Sequence, residues 1–455
     1  MEIAKNSSHQ VTIESITSEG AGVARLDGYT VFVPDTAAGD VCRIKLVKCN
    51  KSYGFGKLEE IIVPSPDRQD VDCPVFVSCG GCCYRHITYE AELKIKENTV
   101  RDAFRRLAGI EAPVREILGS GKQEGYRNKA QYPVGKNAAG EIVSGFYAKR
   151  SHRIIDGRSC RLQPRVFGEI QCGILNFVRQ NKIPIYEEAT NQGLLRHIYL
   201  REGISAGEIM VCLVVTSFRF PKIEELVQVL TGRFPRIKSI VLNRNSKSTN
   251  VILGEECRTV YGTDTISDVL CGVKIELSPL SFYQVNKEQA EVLYRKALSY
   301  AQLQGEEVLL DLYCGAGTIG LSAAGMVREL IGVEIVPEAV ENARRNADAN
   351  GITNARFLCA DAGTAARQLA EEGTRPNVII VDPPRKGLDG EVIGAIVQMA
   401  PQRVVMVSCN PSTAARDAAL LEKEGYAVSE ITPVDLFPRT AHVETVVLMS
   451  RQDTR

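Results

Sequence analysis

No apolar run in this 455-residue chain reaches the ~18 residues that a membrane-crossing helix needs. The opening stretch MEIAKNSSHQ has no basic region followed by an apolar segment, so no secretory leader is expected and the chain reads as cytoplasmic, with no membrane partner. Net charge is missing too: 55 Lys and Arg stand against 55 Asp and Glu. That excludes a molecule coated in basic charge but leaves local basic faces open. Long repeats and low-complexity tracts are also lacking. A composition 44% hydrophobic and 24% charged fits two or three ordinary folded domains, and nothing in it implies an obligate protein partner.

Cysteine, by contrast, is plentiful, with fourteen residues. Disulfides are disfavoured in the cytoplasm, so clustered cysteines point to metal or catalysis. Cys172, Cys212, Cys257, Cys271 and Cys359 lie among apolar neighbours and read as small core residues. The stretch CPVFVSCGGCC spaces Cys73-x5-Cys79-x2-Cys82, and Cys160 in DGRSCRLQP is the nearby candidate for a fourth ligand. Four thiolates suit either zinc or an iron–sulfur cluster. Cys83 shares a turn with Cys82 and is expected to point away.

Residues 8–62 alternate in short runs broken by Gly-Ala-Gly, Asp-Gly and Ala-Gly-Asp turns, which suggests a small barrel of OB type. From Val41 to Lys57 the charge is basic only (Arg43, Lys45, Lys48, Lys51, Lys57), with Tyr53 and Phe55 interleaved. That pattern suits single-stranded nucleic acid, or a solvated edge that resists aggregation. IVPSPDR, Ile62 to Arg68, reads as a linker, and Tyr89 to Ile110 reads as a helix ending near Gly109. Residues 122–165 hold ten Lys and Arg against three acidic residues and alternate like a sheet with a basic face, a second sign of a nucleic-acid partner. Residues 166–275 mix helix and strand patterns without a usable motif.

From Glu306 five apolar runs end on Asp311, Glu334, Asp361, Asp382 and Cys409, spaced 23, 27, 21 and 27 residues apart with helix-like sequence between them. This predicts a parallel, doubly wound sheet whose ligand lies beyond the carboxyl ends of the strands, where these residues would gather. DLYCGAGTIG gives Gly315-x-Gly317-x-x-Gly320 after the first strand, with Glu334 about 20 residues on. Such a loop serves NAD and equally S-adenosylmethionine, because both carry an adenosine. In VDPPRKGLD two prolines fix the backbone after Asp382. Cys409 ends VVMVSC at the same edge, where a thiolate fits covalent catalysis: added to C6 of uracil it makes C5 nucleophilic toward a methyl donor. Glu444, at the start of the last strand beside His442, is the candidate base for removing the C5 proton.

Together these residues resemble the RNA uracil-5-methyltransferase family, in the branch that modifies 23S ribosomal RNA. The resemblance covers nearly the whole chain. It implies a TRAM barrel over residues 1–62, a central domain over 70–285 bearing the cysteine motif and an RNA-binding sheet, and a Rossmann-like methyltransferase domain over 286–455. The helix at 89–110 is expected to pack on the last of these. The family's [4Fe-4S] pattern matches Cys73, Cys79, Cys82 and Cys160. Its SFYQVN-type motif falls at Ser281 to Asn286, where Gln284 would help bind S-adenosylmethionine with Tyr313, Glu334 and Asp382, and with Thr318 and Asp361 at neighbouring positions. SCNP supplies Cys409 as nucleophile and HVE supplies Glu444 as base. Four alternatives differ in chemistry: transfer-RNA uracil methylation, an NAD-dependent oxidoreductase, a non-catalytic RNA-binding iron–sulfur protein, and a cytosine or amino-group methyltransferase. The last is disfavoured because Arg385 stands where those enzymes carry a cysteine or an aromatic.

Overall fold

The computed structural model describes residues 3–149 and 151–452. Arg150 of the second basic stretch, and the outermost residues of the first and last expected domains, lie outside them. Five strands, β1 (Ser8–Ile16), β2 (Gly22–Leu26), β3 (Tyr29–Val33), β4 (Val41–Cys49) and β5 (Tyr53–Val63), close into a barrel in the order β1-β2-β3-β5-β4. Period-two alternation turns Val11, Ile13, Val31, Val33, Ile44 and Leu46 inward to fill it. The segment expected to be a linker is not loose. Its first residues extend β5, and Arg68 forks onto Asp40 of the barrel (Nε–Oδ1 2.8 Å, Nη2–Oδ2 2.7 Å) while the Ser65 N–H donates to the same carboxylate. That burial-tolerant Arg–Asp pair outweighs the turn-forming tendency of the prolines.

Helix α1 (Tyr89–Asp102) starts on Thr88, whose hydroxyl accepts the Ala91 N–H, and continues as a wide turn over Ala103–Ala108 until Gly109 at φ +70° ends it. The central sheet takes β6 (Lys129–Lys136), β7 (Ile142–Tyr147), β8 (Ile154–Asp156), β9 (Leu195–Gly203), β10 (Glu208–Val215), β11 (Ile237–Arg244) and β12 (Glu256–Gly262), in the order β12-β11-β10-β9-β6-β7-β8. Helices α2 (Arg165–Gln180) and α3 (Ile223–Arg233) cover one face of it through Phe167, Ile174 and Leu230. A hairpin, β13 (Ile266–Leu270) and β14 (Val273–Leu277), leads onward.

The last sheet carries β15 (Val308–Leu312), β16 (Glu329–Glu334), β17 (Ala355–Cys359), β18 (Val378–Val381), β19 (Arg403–Ser408), β20 (Tyr426–Val434) and β21 (Glu444–Arg451). Its order is β17-β16-β15-β18-β19-β21-β20, parallel except for β21, which runs antiparallel between β19 and β20. Around it lie α4 (Lys287–Ala301), α5 (Thr318–Ala323), α6 (Pro337–Ala349), α7 (Ala362–Glu371), α8 (Gly390–Met399) and α9 (Pro411–Lys423). Both faces are apolar. Leu310, Ile379 and Val404 share one core with Val100, Phe104 and Ile110 from the α1 region, and Leu309, Val378 and Val405 build the other. No helix among the described residues is long and apolar enough to cross a membrane.

Two cysteines read as core are exposed, Cys257 and Cys359. Both lie on edge strands, β12 and β17, where apolar sequence neighbours do not guarantee a covering layer.

Candidate active site

Strand β15 hands the chain to a tight turn in which Tyr313 adopts φ +66° and Gly315 and Gly317 adopt φ +55° and +78°. Left-handed backbone of this kind is costly for a tyrosine, and it opens a cavity at the carboxyl edge. The lining includes Phe282, Gln284, Tyr294, Tyr313, Thr318 and Asp382. The Tyr294 hydroxyl lies 3.1 Å from Thr318 Oγ1. Glu334 stands at the end of the neighbouring strand, where its carboxylate accepts the Gly315 N–H (3.1 Å) and the Val336 N–H (2.9 Å).

Of the five strand-end residues only Asp382 lines this cavity. Asp361 caps α7 by accepting the Gly363 and Thr364 N–H groups and is not part of the lining. Asp311 lies within its strand and is buried; one oxygen accepts the Gly320 N–H at 2.9 Å and the other has no protein partner. Burial pushes its carboxyl up to about 7, with Asp382 adding to the rise. These departures follow from local geometry: a side chain one residue inside a strand end points into the sheet's flank, and an Asp two residues beyond finds the free N–H groups of a helix start.

Cys409 sits between the end of β19 and Asn410, whose side chain caps α9 by accepting the Ser412 N–H at 3.1 Å. Pro411 takes the first helical position, where its missing N–H costs nothing. Cys409 thus immediately precedes the cap of a 13-residue helix. Ser408 pairs with Thr445 across β19 and β21, so one further step of the register sets Cys409 opposite Glu444. Glu444 is buried, and burial lifts its carboxyl to about 8; Asp382 adds to the rise and Arg385 opposes it. Burial also pushes the Cys409 thiol up, as do Glu444 and Asp382, while the Arg385 guanidinium draws it down. Asp382 is itself lifted by burial to about 7.

The loop carrying Asp382 and Arg385 is fixed from α9. Asn410 Nδ2 donates to the Arg385 carbonyl (3.2 Å), Arg416 Nη2 to the Lys386 carbonyl (2.8 Å), and the Leu388 N–H to Asp417 Oδ2 (2.7 Å). His442 is exposed beside it, with Nδ1 3.5 Å from Arg385 Nη2. Two participants were not singled out from sequence. Arg385 registered only as a substitution for other residues. Tyr294 is a polar-tipped ring within the Ala290, Leu293, Tyr294, Ala297 stripe of α4, a spacing that signals core rather than ligand.

Cys73, Cys79, Cys82 and Cys160 line a second cavity, of about 100 Å³, together with Phe76, Arg85, Arg127 and Gln163. Among the described residues no group of three His, Cys, Asp or Glu side chains is set to hold a single metal ion. Arg85 Nη2, Arg127 Nε and Gln163 Oε1 are buried there without partners. Burial pushes Cys82 up to about 11 and raises Cys160. Cys83 turns toward the barrel instead, packing against Gly20.

On the barrel, Phe32, Tyr53 and Phe55 form an outer trio with ring centroids 5.8–5.9 Å apart. Lys57 pairs across strands with Lys45, and Phe55 with Lys48. Among the described residues Lys45, Lys48, Lys51 and Lys57 form no ion pair, whereas Arg43 binds Glu60 at 2.9 Å. In the second basic stretch most of the charge is spent: Lys122, Lys136, Lys149, Arg158, Arg161 and Arg165 all meet carboxylates.

A sheet of this order, with a glycine turn and an acid at its carboxyl edge, defines an S-adenosylmethionine-dependent methyltransferase domain of Rossmann type. The comparisons carry it further. Residues 273–452 match the tRNA (Uracil-5-)-methyltransferase family and residues 6–58 match the TRAM domain. A protein of Bacillus cereus named as an uncharacterized RNA methyltransferase is 43% identical over 99% of this chain and 98% of its own, and one of Halalkalibacterium halodurans is 43% identical over 98% of each. The Pyrococcus abyssi tRNA (uracil-54, C5)-methyltransferase, solved with S-adenosyl-L-homocysteine, superposes with a TM-score of 0.78 at 28% identity, covering 97% of this chain and 100% of that one. The chain belongs to the TRAM-bearing RNA uracil-5-methyltransferase family.

Proposed function

We propose that this enzyme methylates C5 of one uridine in 23S ribosomal RNA, with Cys409 as nucleophile and Glu444 as base. The observation that supports this chemistry is the register that sets Cys409 opposite Glu444, with the Asp382 carboxylate and the Arg385 guanidinium acting on both. S-adenosylmethionine supplies the methyl group when bound. Gln284, Tyr313, Glu334 and Asp382 would hold it, with Thr318 beside Tyr294 and Asp361 at the start of α7. Cys409 adds to C6 of the flipped uracil, and the enolate that results makes C5 nucleophilic. After C5 has been methylated, Glu444 takes its proton, the C5–C6 double bond re-forms and the thiolate leaves. Arg385 offsets the carboxylates that disfavour the thiolate. The aromatic trio and lysines of the barrel would grip a single-stranded flank by stacking and phosphate contact.

For the cysteine cavity we propose a [4Fe-4S] cluster on Cys73, Cys79, Cys82 and Cys160. Its support is the convergence of four thiols with two unpartnered arginine donors suited to an anionic thiolate-bound group. Anaerobically prepared protein is expected to be brown and to contain iron and sulfide. Zinc at one per chain without iron would overturn the assignment.

The archaeal tRNA enzyme shares this architecture along its whole length, which favours a second reading with transfer RNA as substrate. Mass spectrometry of ribosomal and transfer RNA from cells lacking the gene separates the two: 5-methyluridine is expected to vanish from one 23S site, and its loss from transfer RNA alone would select the second reading. For the chemistry, RNA carrying 5-fluorouridine is expected to leave a methylated adduct on the peptide containing Cys409, and Cys409→Ala to form none and to lose all methylation. Full methylation by that variant would end the covalent mechanism.

A further inference from the structure

Glu444 opens β21, and residues 435–443 connect it to Val434, its partner across β20. Such a loop would ordinarily be mobile at a surface. Here its first part, Asp435 to Arg439, is held by residues from far earlier in the chain. Lys96 Nζ, 1% exposed, donates to Asp435 Oδ1 (2.6 Å), to Glu92 Oε1 (2.7 Å) and to the Phe437 carbonyl (3.2 Å). The Tyr89 hydroxyl donates to the other Asp435 oxygen (2.6 Å) and accepts the Ser120 N–H (2.7 Å). Glu92 Oε1 also accepts the Arg439 N–H at 2.7 Å. The Arg439 carbonyl accepts the N–H groups of Cys83 and Tyr84 at 3.0 and 3.2 Å. Arg439 has φ +70°, a conformation its side chain disfavours and the surrounding bonds impose.

We infer that Lys96 and Tyr89 of α1 are positioning residues for proton removal from C5, holding the loop so that Glu444 meets the methylated ring. This rests on the covalent reading above. Buried charge of this kind is poorly explained by stability alone, because an apolar replacement of a buried ion pair is often neutral. All of these bonds converge on one loop, and that loop ends at the base. Neither residue touches Cys409, so the brace governs release and leaves addition to the thiol.

The test compares the intact protein with Lys96→Met and Tyr89→Phe in two assays. The rate of adduct formation on 5-fluorouridine RNA reports every step before proton removal. Tritium release from RNA carrying 5-tritiated uridine, and the denaturation-stable adduct on ordinary RNA, report proton removal itself. The variants are expected to trap 5-fluorouridine within about twofold of the parent rate while tritium release slows by about tenfold or more and the ordinary adduct accumulates. Equal losses in both assays, or no loss in either, would overturn the brace. If Lys96→Met does not fold, Tyr89→Phe, which removes one oxygen, decides alone. A parent protein that forms no 5-fluorouridine adduct defeats the covalent reading itself, whereas a parent adduct with unchanged partition in the variants defeats only the brace.

Discussion

Glu444, Asp382 and Asp311 share one corner of the sheet, and burial lifts their carboxyls to about 8, 7 and 7. In the unfolded chain the same groups titrate near 4. Between those limits the folded protein holds protons that the unfolded chain releases, so folding stability falls as pH rises from about 4 through about 8. The unliganded protein is expected to lose thermal stability between pH 5 and 8, and Glu444→Gln to flatten that slope; a melting temperature that climbs with pH would contradict it. Activity runs the other way. Only ionised Glu444 can accept a proton, so C5 proton release should rise as pH passes about 8, and Glu444→Gln should retain the adduct while losing that limb. Measuring adduct formation and tritium release across this range separates the two. The candidate nucleophile and base were legible because their chemistry is unusual at a strand end. Arg385 was not, because a charged residue in a loop has the same letter whether it faces solvent or a thiol.

The loop from Asp382 to Asp389 shows what an element adds to its residues. Gly387 adopts φ +79°, and a side chain there would meet Asp417 Oδ2 at 2.3 Å and Arg416 Nη2 at 2.5 Å. Those two residues of α9 hold the loop, and the same helix starts just after Cys409. Gly387→Ala is expected to cost on the order of 1–3 kcal/mol by strain and to lower methyl transfer more than cofactor affinity. Calorimetry beside single-turnover kinetics would check both; an unchanged rate would mean the loop can shift freely. Period and turn chemistry made the strands and helices of the last sheet readable, and the glycine turn with them. The segment after the barrel does connect it to α1, but Pro-rich sequence says nothing about an Arg68–Asp40 fork whose partner is 28 residues away. At 122–165 the residue counts point to a nucleic-acid partner but do not record which charges find carboxylates across the fold.

Across the whole molecule the boundaries matter less than the crossings. Val100, Phe104 and Ile110 lie in the same core as the catalytic sheet. Phe104→Ala, far from the last sheet in sequence, is expected to destabilise the methyltransferase part by about 3–5 kcal/mol. Hydrogen exchange on β18 and β19 would register it; exchange changes confined to α1 would argue that the two cores are independent. The crossing also sets a timetable. Lys96 and its partner Asp435 are separated by 339 residues. At a synthesis rate of about 5–20 residues per second, α1 leaves the ribosome tens of seconds before the loop of Asp435 exists. Throughout that interval Lys96 has only Glu92 of its own helix as a carboxylate partner, and Val100 and Phe104 lack the sheet they pack on. The candidate active site is therefore completed late in the making of the chain, when its last strand joins a helix made near the start.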